Sequence, residues 1–330
     1  MTMKPRKSIP DKKAATFRSV KNSVMESPGI EDFNSGPTNL DGEIASELTM
    51  SDLAMSQSGE LLIVTVLVES GTDAVSISAR LDATRRVLAV MAEIVGNRPA
   101  LVIFQAGWFD SKSHPAIKAL HQYELELRRM LGETGLDRLV IAFGVDGRNG
   151  RDQLAAVLSS SGFKVVARKF HPTEDEMSPE EPLLLAEHWE AGESGYSRIA
   201  EILGHKIFIA VCYDTFGIPQ LQLPRPDVDA VVCHLHLFGP RKSNYVSGDS
   251  YFARLGLAGA SRQWSVPVFA AAQFLHRPIP ARWPSGVLCQ TDTGHARRLT
   301  YEDISLASIR ESIRIRIQEG IAELRFFKLP

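Results

Sequence analysis

From Leu61 onward the chain alternates short apolar runs with stretches whose apolar residues recur every three or four positions. LLIVTVLV, starting at Leu61, is rich in β-branched residues and predicts a buried strand. Ile77, Leu81, Thr84, Leu88, Met91 and Val95 then mark one face of a helix. ALVIFQAGWF predicts a second buried strand, and Ile117, Leu120, Leu127 and Leu131 a second helix. RLVIAFGV, QLAAVLSSSG and FKVVARKF predict three more strands. HKIFIAVCYD, DAVVCHLHLF and VPVFAAAQF predict another three, with a helix over 251–263 before the last. SIRIRIQEGIAEL carries two signals, an Ile/Arg alternation typical of a strand and a wider spacing typical of a helix; the reading favours the helix. No internal repeat interrupts this order, which predicts an α/β fold with a mixed sheet.

Residues 1–58 read differently. They are rich in Lys, Ser, Pro, Asp and Glu without sustained periodicity, which predicts a disordered or loosely attached arm ahead of one domain over 59–330. The first 21 residues carry seven basic side chains and one acidic one, the pattern of a solvated tail or of a docking arm for an acidic partner. A formal net charge of -2 argues against a general nucleic-acid binder. No run of about 18 apolar residues suggests a membrane span, and the basic start lacks the apolar stretch of a secretory signal. Three cysteines, Cys212, Cys233 and Cys289, are too few and oddly counted for a disulfide framework, so a reducing, cytoplasmic setting is expected.

Cys212 ends the apolar strand IFIAVC and is followed by the turn-like YDTFGIPQ. Backbone N–H groups at such a strand end favour a thiolate and can bind an oxyanion. A lone cysteine is more often a buried structural residue, and Cys233 and Cys289, within apolar strands, are read that way. Lys169 leaves a strand between VVAR and FHP; it is either a solvated edge residue or a cation beside a thiolate.

Order and surroundings sharpen both readings. ALVIFQAGWF, VARKFHP, AVCYDTFGIP, ASRQWSVPVFAAAQF and SGVLCQTDTG resemble, in sequence order, five blocks of the nitrilase (carbon–nitrogen hydrolase) superfamily, from about Leu61 to at least Gly294. The resemblance implies a nitrilase-like αββα sandwich and a Glu-Lys-Cys centre that cleaves an amide or nitrile through a thioester, with no cofactor or metal. It makes Cys212 the nucleophile, Lys169 the oxyanion stabiliser alongside the backbone N–H of Tyr213, and Asp214 a structural acid. It also implies a homodimer or larger homo-oligomer, paired through residues near 215–222 and 251–263, with Phe216, Ile218, Leu255 and Leu257 as contacts.

The base does not carry over. Ala106, within Phe104-Gln105-Ala106-Gly107-Trp108, stands where the family has its glutamate; Gln153 and Gln263 replace a usual Asn and Glu. Losing a general base costs roughly 10²–10⁴ in rate, although a cysteine is itself partly ionised near neutral pH. Candidate substitutes are Glu69, in the strand expected beside that of Ala106, and Glu174, Glu176, Glu180 and Glu181 in the loop after Lys169; each is equally a solvated carboxylate. His234 and His236, two apart on one strand, face the same way. With no third ligand apparent, they read as pocket wall rather than metal site, and Trp108 as pocket wall or core. Two functions follow: a hydrolase acting on a small amide-like substrate, or a catalytically silent protein of this fold that binds a small ligand or a protein partner.

Overall fold

Strand β1 (Leu61–Ser70) sends its side chains alternately to two sides. Leu61, Ile63 and Leu67 enter one apolar cluster, while Leu62, Val64, Val66 and Val68 enter another. The computed structural model describes residues 60–329 apart from 179, 241–247, 290–305, 307 and 311. The arm expected over 1–58 and the second half of SGVLCQTDTG lie outside the described residues.

The elements then run α1 (Ile77–Val95), β2 (Ala100–Ile103), β3 (Phe109–Ser111), α2 (Ala116–Glu133), β4 (Leu139–Gly147), β5 (Asp152–Ser159), β6 (Gly162–Arg168), β7 (Ile199–Ile202), β8 (His205–Val211), α3 (Asp214–Gln220), β9 (Ala230–Phe238), α4 (Gly248–Tyr251), a π-helical stretch Phe252–Leu257, α5 (Ala258–Trp264), β10 (Val268–Leu275), β11 (Gly286–Val287), β12 (Ile313–Ile317) and β13 (Gly320–Leu329). Ser76 caps α1 by accepting the Ala79 N–H at 3.2 Å.

Strands pair in the order β6-β5-β4-β2-β1-β10-β9-β8-β7, with β13 antiparallel along the whole of β1. β1 meets β10 only over Val68–Ser70, so the strands divide into two leaves joined at that corner. α1 and α2 cover the outer face of the β1–β6 leaf with Val87, Leu88, Met91, Leu120, Leu127 and Leu131. Between the leaves, Ile63, Ile103, Ala142 and Val157 share one core with Phe208, Ala210 and Val232, and Phe216, Phe252 and Trp264 of the later helices belong to it too. The architecture is an αββα sandwich with mixed sheets.

Two expectations are corrected. SIRIRIQEGIAEL is no helix but the hairpin β12–β13. Its alternation puts Arg314 against Glu323 at 2.8 Å, and β13 gains a full-length partner in β1. Gly320 turns it with φ 153°; a Cβ there would stand 2.0 Å from the Glu69 carbonyl oxygen. The strand expected through ALVIFQAGWF breaks after Ile103 and resumes at Phe109, across Gly107 at φ 59°. That break holds Ala106.

Candidate active site

β8 stops at Val211, and Cys212 takes a left-handed conformation with φ 49°, uncommon for a residue with a side chain. Its N–H donates to the His234 carbonyl at 2.8 Å, and its carbonyl accepts from the Thr215 hydroxyl at 3.2 Å. Tyr213 then leads into α3, its carbonyl accepting the Phe216 and Gly217 N–H groups at 2.9 and 3.2 Å.

Asp214 ties this turn to the end of β6. One carboxylate oxygen accepts the N–H groups of Phe170 and His171 at 2.8 and 2.9 Å. The other accepts the Val211 N–H at 2.9 Å and the Arg198 guanidinium at 2.9 Å. Asp214 and Arg198 are both fully buried, so the acid is paired and saturated, as a buried charge must be. The chain on either side of Lys169 and Cys212 is therefore held by one side chain.

Lys169 is fully buried. Its ammonium donates to both carboxylate oxygens of Glu176, at 2.7 and 2.6 Å, and to the Gln153 amide oxygen at 3.2 Å. Glu176 is held by a capping box with Thr173, whose N–H it accepts at 2.7 Å, and by the Gln153 amide N–H at 3.0 Å. Burial works against its charge, but Lys169 outweighs that and holds its carboxyl below the ordinary range. Gln153 thus bridges the ion pair, its amide oxygen serving the lysine and its amide nitrogen the glutamate.

Between the Cys212 turn and the break at Ala106 runs β9. Consecutive carbonyls, of His234 and Leu235, accept the N–H groups of Cys212 and Ala106, at 2.8 and 2.9 Å. His236 comes next. Its Nε2 lies 2.9 Å from Asp146 Oδ2, and its imidazole acts electrostatically on the Cys212 thiol. Asp146 sits at the end of β4, opposite Gln153 of β5. A Cβ on Gly107 would stand 2.9 Å from the same Asp146 oxygen and 3.6 Å from the His236 ring, so the open backbone beside Ala106 is the space this pair fills.

The electrostatics follow. Burial pushes the Cys212 thiol up, but Lys169, and after it His236, bring it below its ordinary value. Burial disfavours imidazolium at His236, yet Asp146 and the thiolate side of Cys212 overcome this and raise it to about 10. Cys233, buried next to Cys212 without such cations, is pushed well up.

The remaining candidates fall apart spatially. Glu69 lies between Phe274 and Ile321 in the sheet and makes no hydrogen bond to Cys212 or Lys169. Glu174 and Glu180 are exposed, and exposed Glu181 faces Arg151 at 3.4 Å. Of the acids in that loop, Glu176 meets the lysine. His234 is fully buried, donates through Nδ1 to the Phe104 carbonyl at 2.6 Å and is pushed down to about 4 by burial. Among the described residues no group of three side chains suits a metal ion. Trp108 is buried, donates to the Thr84 hydroxyl at 2.9 Å and lies 4.3 Å from the Arg80 guanidinium; with Gly107, Asp73, Asp110 and Lys112 it also lines a cavity of about 570 Å³. Gln263, on α5, donates to the Leu223 carbonyl at 3.3 Å.

Asp146 is absent from the readings of the sequence alone. The available signal was its place in RLVIAFGVDG, a strand that pairs with that of Ala100–Ile103 and so ends near Ala106.

No protein-family model and no curated protein matches the chain. Solved structures do. A double mutant of the amidase from Nesterenkonia sp. AN1, in complex with acrylamide, aligns at TM-score 0.50 and 11% identity, over 83% of this chain and 92% of that one. A carbon–nitrogen hydrolase from Helicobacter pylori G27 aligns at TM-score 0.48 and 12% identity, over 82% and 80%. XC1258 from Xanthomonas campestris, a CN-hydrolase superfamily protein with an arsenic adduct in its active site, aligns at 0.46 and 15%, over 82% and 91%. With two strand leaves between two helical layers, this chain has the fold of the nitrilase, or carbon–nitrogen hydrolase, superfamily.

Proposed function

We propose that the protein hydrolyses the C–N bond of a small amide or related compound through a thioester on Cys212. The observation that carries this reading is the fully buried Lys169 at the strand end that Asp214 ties to the Cys212 turn, where its charge favours the thiolate. A thiolate attacks the carbonyl carbon; the oxygen becomes an anion that Lys169 and the Tyr213 N–H stabilise. The C–N bond breaks, the amine leaves with a proton, and water hydrolyses the thioester. Side chains and water suffice, so no cofactor enters. The amidase of similar fold was solved with acrylamide, which makes small aliphatic amides the first compounds to try. Such a thiol suits a reducing compartment such as the cytoplasm, and the family resemblance supports a homodimer or larger homo-oligomer as the working form.

A second reading rests on Ala106: a protein of this fold without the usual glutamate that binds its ligand and releases it unchanged. The test is ammonia release from a panel of small amides by the wild type and by Cys212→Ala, with intact-mass analysis for an acyl adduct. Turnover with an adduct on Cys212, both lost in Cys212→Ala, supports the hydrolase. Ligand-dependent thermal stabilisation with no adduct and no ammonia supports the binding protein.

A further inference from the structure

We propose that His236, held by Asp146, is the proton acceptor for the Cys212 thiol and stands in for the glutamate replaced by Ala106. This rests on the hydrolase reading for its chemistry, but the proton transfer itself is a property of the resting site.

Three independent features of the backbone place the imidazole. First, β9 steps from His234 to Leu237 while β10 steps from Ala271 to Gln273, so β9 carries one extra residue between them. Such bulges are uncommon between parallel strands, and they re-aim side chains beside functional sites. His234 donates to the Phe104 carbonyl, whereas His236, two residues on, meets Asp146 at 2.9 Å and favours the Cys212 thiolate. Second, the carbonyls of His234 and Leu235 hold the N–H groups of Cys212 and Ala106, so the next residue is fixed between nucleophile and vacated glutamate position. Third, Gly107 leaves the room that the Asp146 carboxylate occupies. Removing the glutamate alone would leave the thiol without an acceptor; here a second acid–base pair enters from β4 and β9.

The arrangement has the logic of a nucleophile, a base and an orienting acid. Asp146 takes the Nε2 side of the ring at 2.9 Å, and we give the thiol proton to the other ring nitrogen. The Cys212 S–H bond breaks and its proton goes to that nitrogen, giving thiolate and imidazolium. Thiolate attacks the amide carbon, forming the C–S bond. As the C–N bond breaks, imidazolium returns the proton to the departing nitrogen. Neutral imidazole then takes a proton from water, whose oxygen attacks the thioester carbon. The C–S bond breaks, the acid leaves, and the thiolate–imidazolium pair is restored. The ring side chain is 28% exposed and that of Asp146 14%, enough for water to reach the base.

Several other groups bear on the titration. Lys169, from the end of β6, acts on the thiol with His236. Glu176 partly offsets Lys169 from the loop beyond it, and Cys233 lies behind Cys212 on β9. Tyr213 follows the thiol in sequence, and Asp214 is engaged with Arg198. Asp110 acts on the far side of Asp146. Lys169 and His236 favour the thiolate, and the two make separable contributions.

The test is the pH dependence of Cys212 alkylation by iodoacetamide, mapped by mass spectrometry, in the wild type, His236→Gln and Asp146→Asn, with circular dichroism to establish folding. The wild-type rate should be level through neutral pH and fall only on acidification. In folded His236→Gln the inflection should rise by at least about one unit and the rate at pH 7 fall about 10-fold, one unit being tenfold in thiolate. Asp146→Asn should shift it the same way by less. Where an amide is turned over, kcat should fall about 10²–10⁴ in His236→Gln with KM little changed. If His236→Gln does not fold, Asp146→Asn decides alone. An unmoved inflection in a folded variant overturns the proposal, even if the wild type hydrolyses amides. A raised inflection in a protein that turns over no amide upholds the pair and removes the hydrolase reading instead.

Discussion

Both carboxylate oxygens of Glu176 lie within hydrogen-bond distance of Lys169 Nζ, at 2.7 and 2.6 Å. The lysine is fully buried, and a buried cation needs such a partner. The glutamate is in turn held by Thr173 and Gln153. An acid that could have been a loose loop carboxylate is therefore committed to the cation, leaving proton transfer at the thiol to another group.

Glu176→Gln should destabilise the protein by about 3–5 kcal/mol, the usual cost of breaking one side of a buried ion pair. The pH dependence has a definite sign. The folded-state pKa of Glu176 lies below its ordinary value of 4.5, so its contribution is complete above about that pH and is lost as pH falls through the depressed value. Urea unfolding from pH 7 to pH 3 should show a steeper loss in the wild type than in Glu176→Gln; parallel curves would contradict this.

Asp214→Asn should cost a similar amount, about 3–5 kcal/mol. The substitution leaves the fully buried Arg198 without its anion and, since each carboxylate oxygen accepts two donors, turns two of the four accepting contacts into clashes of donors. Lower stability should come with slower Cys212 alkylation, because the same carboxylate sets the turn under Cys212 and the strand end before Phe170. A stable Asp214→Asn protein with normal labelling would show that the tie is dispensable.

Of the three cysteines, Cys212 should alkylate first at pH 7. All three are buried, so ionisation rather than exposure should rank Cys212 above Cys233: the former is lowered by Lys169 and His236, the latter pushed well up by burial. Adducts appearing first on Cys233 or Cys289 would remove Cys212 from the centre of the site.

Ala106→Glu tests whether the site still has use for the family's acid. Ala106 is buried, and His236 and Asp146 already fill the space beside the break, so the new carboxylate should overpack the site. Overpacking of this kind costs about 1–3 kcal/mol, read as a lower melting temperature, with no gain in turnover. A tenfold rise in activity would mean that the histidine does not serve as base.

Association should produce at least a dimer in light scattering at micromolar concentration. The sequence pointed to Phe216, Ile218, Leu255 and Leu257 as contacts, but Phe216, Ile218 and Leu257 are buried within the chain itself. Among the described residues, large apolar groups left outward near that region are Leu221 (55% exposed), Tyr251 (42%) and Leu255. Leu221→Glu with Leu255→Glu should therefore shift the protein toward monomer; a strict monomer in the wild type would set this aside.

Local pattern alone determined most of the fold. The apolar runs at Leu61, His205, Ala230 and Val268 became β1, β8, β9 and β10 because a strand buried on both faces must be apolar at nearly every position. The spacing of Thr84, Leu88 and Met91 declared a helix for a comparable reason. Five ordered blocks, Cys212 and Lys169 among them, implied the αββα sandwich. Where local signals conflicted, as in SIRIRIQEGIAEL, the decision fell to a partner 250 residues away: β13 became a strand because β1 offered it a full ladder.

The proton chemistry of the site belonged to tertiary structure altogether. Sequence could show that the glutamate was missing at Ala106, and it could offer five replacement acids, but a carboxylate's role depends on what lies within about 3 Å of it. Glu176 was among those named and is spent on Lys169. From sequence His236 reads as a pocket wall, and no local pattern singles out Asp146. Their pairing joins β4 to β9, strands 90 residues apart, through a bulge and a glycine that have no local signature in either segment. Periodicity reports which face of an element is buried; it carries no information on which buried polar groups meet, because that depends on register between strands distant in the chain.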